Sequence, residues 1–391
     1  MQDGAESVFG EEQVRRPIQV CRPRLPSFEL LRPYLETLDD SRWYSNHGKL
    51  ERMLAARLSA LLGSGEAVAM ASSGTSALVG AILACAGRAT TARPLCLCPA
   101  YTFVATVAAV EQCGYHPYLI DIDETDWSVN PDGLADHPLL SRTGLVVPVA
   151  PYGRAVSQVG WLRFQKATGI PVVIDGAASL ESVVATPERN IGPLPVALSF
   201  HATKAFATGE GGAVVTSDAD ILLRTNQALN FGFMGARQST IAGTNGKMSE
   251  YHAAVGLAEL DGWTNKQGDF SRVAISYHHH ATQHGLSNSV VTQPLIASCY
   301  AIFEASNAEE ARFVRAALSE ERIEYRNWYG LGLHREPYLT QVERDALPGV
   351  DGLAPRLLGL PVAPDLTSPE IARIILAIAR GRDRFNETSS Y

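Results

Sequence analysis

The sequence predicts an α/β protein: a mainly parallel, seven-stranded sheet packed under helices, followed by a smaller C-terminal α+β domain. Two observations predict it. Short runs of Val, Ile and Leu without polar alternation recur between helical stretches, as strands buried on both faces do. From about residue 264 onward that regular alternation gives way to mixed helix and strand. A chain of 391 residues is also long enough for about two domains.

In chain order, residues 1–16 are polar and unpatterned and read as a flexible arm. The large domain is expected over 17–263 and the small one over 264–391. Apolar residues recur at helical spacing between Pro26 and Leu62, with a break at Trp43-Tyr44-Ser45-Asn46-His47-Gly48. Leu50, Met53, Leu54, Leu58 and Leu61 share a face of the second of these helices, which Gly63 ends. The seven strands are expected at Ala67–Met70, Leu95–Cys98, Tyr118–Ile122, Leu145–Val149, Val172–Asp175, Ala197–Phe200 and Ala213–Thr216. Helices are expected at Ser76–Ala86, closed by Gly87, at Val104–Cys113 and, near the C-terminus, at Pro369–Gly381.

Composition narrows the function. Hydrophobic residues at 46% and charged residues at 19% are ordinary for a soluble globular chain. A net charge of −8 argues against a nucleic-acid backbone as partner, and no block of like charge forms a basic arm. An anionic substrate must therefore be held by local groups. The six cysteines include several inside apolar runs, where thiols act as small buried hydrophobes. His278-His279-His280 would point to different faces of a helix and read as surface residues, so no metal is expected. No apolar run approaches the roughly 20 residues of a membrane span. The protein is expected in the cytoplasm, with neither nucleic acid nor membrane as partner.

Four segments fall where an open α/β sheet places its ligands, at the carboxyl ends of strands. Ser72-Ser73-Gly74-Thr75-Ser76 lies between a strand and a helix, where free N–H groups and hydroxyls make an anion site. A plain helix cap is the alternative. Tyr101-Thr102-Phe103-Val104-Ala105 follows a strand, and an aromatic there can lie on a heteroaromatic ring or simply join the core. Asp175 ends an apolar strand, an expensive place for a carboxylate without a partner. A cationic pyridinium nitrogen would serve, as would a cap on the following turn. Lys204 closes Ser199-Phe200-His201-Ala202-Thr203-Lys204 just after another buried strand, and Gly209-Glu210-Gly211-Gly212 follows it. Lysine is seldom found there unless it is paired or reacting. Each signal is modest alone. Their order, anion loop, aromatic, strand-end Asp and strand-end Lys, matches the fold type I arrangement for pyridoxal 5'-phosphate (PLP).

With those residues in view, the chain resembles the DegT/DnrJ/EryC1/StrS family of sugar aminotransferases, from about Pro17 to the C-terminal helix. The matching pieces are Trp43 to Glu51, Ser73-Gly74-Thr75, Tyr101 to Thr106, Ser199 to Lys204, Gly209 to Ala213 and Gly243-Thr244-Asn245-Gly246-Lys247-Met248-Ser249-Glu250. The resemblance implies that Lys204 bonds PLP and acts as base and acid, and that Asp175 faces the pyridine nitrogen. It implies that Phe103 stacks on the ring and that Ser73, Gly74, Thr75 and Ser199 bind the phosphate. Asn245 would reach into the site of the other subunit of a homodimer. Asn46, Tyr329 and His334 are carried over from rough positions as sugar contacts.

The activity implied is transfer of an amino group from an amino acid, glutamate by resemblance, to a nucleotide-linked keto-sugar, with pyridoxamine 5'-phosphate between the two halves. The Ala-Thr-Lys and Gly-Glu-Gly-Gly pattern looks most like members that aminate carbon 4 of a 4-keto-6-deoxy sugar. Amination at carbon 3 or of a cyclitol, elimination on the same scaffold, and a non-catalytic regulator are the alternatives. Two departures stand out. Many members carry Gln or His three positions after the Asp, where this chain has Ala178, so that contact is lost or passes to another group such as Ser179. A His often precedes the turn at Tyr152-Gly153, where this chain has Ala150-Pro151.

Overall fold

A computed structural model of the chain describes residues 16–63 and 68–389. Residues 1–15 of the expected arm, and Ala67 of the first expected strand, lie outside the described residues. Helices α1 (Phe28–Ser41) and α2 (Lys49–Leu61) come first. Between them Arg42, Asn46 and His47 all take positive φ, so the chain turns sharply through the break foreseen in the sequence. Helix α2 buries Leu50, Leu54 and Leu58 along one side, as its apolar spacing requires.

The alternation then begins. It runs β1 (Val68–Ala71), α3 (Gly74–Cys85), β2 (Leu95–Pro99), α4 (Ala105–Gln112), β3 (His116–Ile120), the short α5 (Pro131–Leu134) and β4 (Thr143–Val146). It continues with α6 (Gln158–Thr168), β5 (Ile174–Asp175), α7 (Leu180–Ala185), α8 (Pro187–Asn190), β6 (Val196–Ser199), β7 (Gly212–Val215) and α9 (Ala219–Leu229). A hairpin of β8 (Phe233–Met234) and β9 (Ala236–Ser239) leads into α10 (Glu250–Gln283), 34 residues long. The rest comprises β10 (Val290–Val291), β11 (Ile302–Glu304), α11 (Ala308–Glu320), α12 (Pro348–Leu353), β12 (Leu357–Gly359) and α13 (Ser368–Ser389).

Strands β1, β7, β6 and β5 pair in that order, and β3, β2 and β4 form a second ladder. Parallel bridges Val146 to Val172 and Val149 to Asp175 join the two, giving the seven strands foreseen. Strands β2, β3 and β4 run parallel, as do β5 and β6; β7 alone runs antiparallel, between β1 and β6. Every residue of β1, β2 and β7 is buried, which accounts for their unalternating sequences.

Strand boundaries differ from expectation by one to three residues because partners set them, and the C-terminal helix runs on to Ser389, past the expected end at Gly381. Strand β3 starts at His116, two residues early, and stops at Ile120, which pairs with Pro99 at the end of β2. Only Ile174 and Asp175 pair with β6, while Val172 reaches across to β4. The C-terminal strands β10, β11 and β12 make a separate antiparallel sheet, and α11 packs against α13 beside it. The domain boundary expected at 263/264 falls inside α10, and the buried apolar residues form one cluster from Ile18 to Ile378. Among the described residues no helix is long and apolar enough to cross a membrane.

Candidate active site

The sheet register brings three of the four expected segments to one edge. Ala71, the last residue of β1, pairs with Gly212, which also pairs with Ser199 at the end of β6. The loop Ser72-Ser73 therefore emerges beside Ser199. Gly74 is needed at this approach: a methyl group there would sit 2.6 Å from the Ser199 Cβ. Ser73 caps α3, its Oγ accepting from the Ser76 N–H at 3.0 Å. The cap and the anion site thus coexist, because the N–H groups of Gly74 and Thr75 have no protein acceptor among the described residues.

One strand further on, Asp175 pairs with Ala197 and bridges to Val149. Its carboxylate is buried, with Oδ2 accepting from Thr106 Oγ1 at 2.8 Å and Oδ1 from the Ala177 N–H at 3.1 Å. Burial holds its proton affinity above the ordinary carboxylate range, opposed by these two bonds and by the charge of Lys204. Lys204 follows β6 and its Nζ donates to the Tyr300 hydroxyl at 3.1 Å. The carboxylate and the amine feel each other's charge across the strand ends.

Phe103, just before α4, is 58% exposed. Tyr329 enters a wall of stacked rings. It lies on Tyr152 with centroids 4.7 Å apart and planes 18° apart, and Tyr152 meets Tyr300 edge-on at 5.4 Å. Tyr101 and Tyr152 share a hydroxyl hydrogen bond of 2.7 Å. Tyr152 has φ +54° and Gly153 φ +80°; a side chain at Gly153 would run into the Ala178 carbonyl. The turn at Ala150-Pro151 thus forces a tyrosine into the wall beside Lys204.

The other candidates are placed differently. His334 is buried, its Nε2 on Asp351 Oδ1 at 3.0 Å, while the Leu333 N–H ties its loop to Ala100 at 2.7 Å. Asn46 is exposed in the turn before α2. Asn245 is exposed too, and its Oδ1 accepts from Lys247 Nζ at 2.8 Å. Its neighbour Gly246 accepts from the Ser72 N–H at 2.8 Å, which fastens this loop to the anion loop. Ala178 is buried, and Ser179 Oγ is buried with no hydrogen-bond partner among the described residues.

Nothing in the sequence pointed to Tyr300 or Glu181, and Thr106 and Glu250 stood in the matching pieces without a role of their own. Thr106 is 69 positions from the carboxylate it serves, and Tyr300 is 96 from its lysine, so only the fold unites them. Glu181 accepts from Ser298 Oγ at 2.9 Å beside Lys204. Glu250, buried at the start of α10, accepts from the N–H groups of Leu50 and Glu51 and so closes the N-terminus of α2.

An anion-ready helix start, a lysine amine and a buried carboxylate along the carboxyl edge of one mostly parallel sheet suit PLP, which carries a phosphate, an aldehyde and a basic ring nitrogen. These features define a PLP-dependent enzyme of fold type I. The chain belongs to the DegT/DnrJ/EryC1/StrS aminotransferase family, whose pattern matches residues 29–379. It is an aminotransferase and its cofactor is PLP. It is 31% identical over 378 residues to Protein Rv3402c of Mycobacterium tuberculosis, covering 94% of this chain and 90% of that one. It is also 31% identical over 250 residues to the dTDP-4-amino-4,6-dideoxy-D-glucose transaminase of Shigella dysenteriae, over 63% of this chain and 66% of the other. The structure of DesI with its TDP-sugar product has a TM-score of 0.81 to it, at 31% identity, covering 95% of this chain and 96% of that one.

Proposed function

We propose that the protein moves an amino group from L-glutamate to a nucleotide-linked keto-sugar, at carbon 4 of a 4-keto-6-deoxy sugar. The observation that carries the reading is that Lys204, in the turn after β6, stands near enough to act on the buried Asp175 at the end of neighbouring β5, beside an anion-ready helix start. The Shigella enzyme and DesI, named for amino-sugar and TDP-sugar chemistry, support the sugar assignment.

The cofactor supplies an electron-withdrawing ring and an aldehyde carbon. The chain's residues do the rest. Gly74 and Thr75 N–H groups, with Ser73 and Ser199, would hold the phosphate. Phe103 would cover one face of the ring. Asp175, kept in place by Thr106 and Ala177, would keep the ring nitrogen protonated. Lys204 would hold the cofactor at its aldehyde carbon, and its amine is the group that the donor's amine would replace there. Its freed Nζ then takes the proton from the donor's Cα, with the Tyr300 hydroxyl fixing where that nitrogen sits. Water would then replace the nitrogen on the donor carbon, so that the donor leaves as 2-oxoglutarate while its amino group is kept for the acceptor. In the second half the same nitrogen returns a proton to the sugar carbon, which completes a ping-pong sequence.

By the resemblance, Asn46, Tyr329 and His334 would contact the sugar, and Asn245 would complete the phosphate site of a partner subunit in a homodimer. The large and small domains meet along α10.

The test is turnover with glutamate and a panel of keto-sugar nucleotides. Release of 2-oxoglutarate with an amine at carbon 4 of the sugar is expected, and Lys204→Ala should abolish it. Full turnover by the Lys204→Ala variant would falsify the reading. Product carrying nitrogen only at carbon 3 would overturn the regiochemistry.

A further inference from the structure

A second carboxylate, besides Asp175, lies close to Lys204. Glu181 stands in the first turn of α7 and lines a cavity with Ala178, Ser199, Lys204, Phe206 and Cys299. One oxygen is fixed by Ser298 Oγ at 2.9 Å. No lysine or arginine forms an ion pair with it among the described residues. Ala178, whose methyl leaves the space that a Gln or His would fill, borders the same cavity.

We infer that Glu181 is a positioning residue, the anionic counterpart that sets the proton affinity of the nitrogen joining Lys204 to the cofactor. The inference rests on the reading of Lys204 as the cofactor-bearing lysine.

The surrounding groups leave Glu181 this task. Asp175 also acts on Lys204, but its two oxygens are engaged by Thr106 and Ala177. Lys266 is near enough to act on Glu181, yet its own Nζ is taken by Glu259 and the Arg24 carbonyl. Arg22 and Arg24 line a separate cavity with Lys204 and are paired with Asp365, Glu370 and Asp269. The thiols of Cys21 and Cys299 and the hydroxyls of Tyr300 and Tyr329 complete the shell, and burial keeps all four in their neutral forms. Burial also raises the proton affinity of Glu181, while Ser298, Lys204 and Lys266 favour its anion.

The experiment is a pH titration of the visible band of the holoenzyme in wild type and Glu181→Gln. Glutamine keeps the volume and the Ser298 contact while removing the charge. Loss of a nearby anion should lower the midpoint of the band by about 1 pH unit. A variant that binds PLP with the wild-type midpoint overturns the inference and leaves the reading of Lys204 intact. A wild-type protein without a lysine-dependent band, tested against Lys204→Ala, overturns that reading and the inference together. Should the glutamine variant not fold, Glu181→Asp decides by the same titration. Its charge is withdrawn by one methylene, so a smaller downward shift supports the role and an unmoved midpoint overturns it.

Discussion

Asp175 shows how one residue can serve the site at the expense of stability. Its carboxyl is buried, and its proton affinity is raised in the folded chain. In the unfolded chain an aspartate ionises near its ordinary value of about 3.9. As pH rises, the unfolded state therefore loses its proton first and gains stability relative to the fold. The penalty is absent below the unfolded value, grows between the two values and persists above the folded one. Asp175→Asn keeps the partners Thr106 and Ala177 while removing the charge. The cofactor-free variant should melt no lower than wild type at pH 8, with the difference vanishing near the unfolded value. A melting point well below wild type at pH 8 would contradict this. The same variant should lose most transaminase turnover, since a neutral amide cannot hold the ring nitrogen protonated.

At the scale of elements, the site depends on how helix ends and strand ends are fixed. The N-terminus of α2 has no cap of its own: Gly48 precedes it, and Glu250 from α10 supplies both oxygens. Two charge-assisted bonds to a buried helix start are worth about 2 kcal/mol. Glu250→Ala should lower the urea midpoint accordingly, without changing the spectrum of bound PLP in the folded protein. Much of this level was legible beforehand. Unalternating Val, Ile and Leu runs marked the strands, and Gly63 and Gly87 marked helix ends where the chain does take positive φ. The antiparallel direction of β7 was not legible, because a four-residue buried run reads alike in both directions. Nor was the cap on α2, whose acceptor lies 200 positions away.

At the scale of the molecule, the proposed sharing of sites between subunits has a direct test. Lys204→Ala and Asn245→Ala should each be nearly inactive. Unfolded together and refolded as a mixture, they should regain activity, because half of the randomly formed dimers would carry one site with both residues intact. Recovery of about a quarter of wild-type turnover is expected from that count. A mixture no more active than its components would show that Asn245 serves its own subunit.

The sequence by itself determined the layered α/β architecture, the position of Lys204, Asp175 and Ser73 to Thr75 at strand ends, and the family. Burial of a strand and the start of a helix are local properties, written in a few neighbouring residues. Only the tertiary structure decided what stands around the lysine. Tyr300, Glu181, Ser298 and the turn that presses Tyr152 into the aromatic wall come from distant segments. Their contacts arise from strand register and packing, which no stretch of sequence encodes alone.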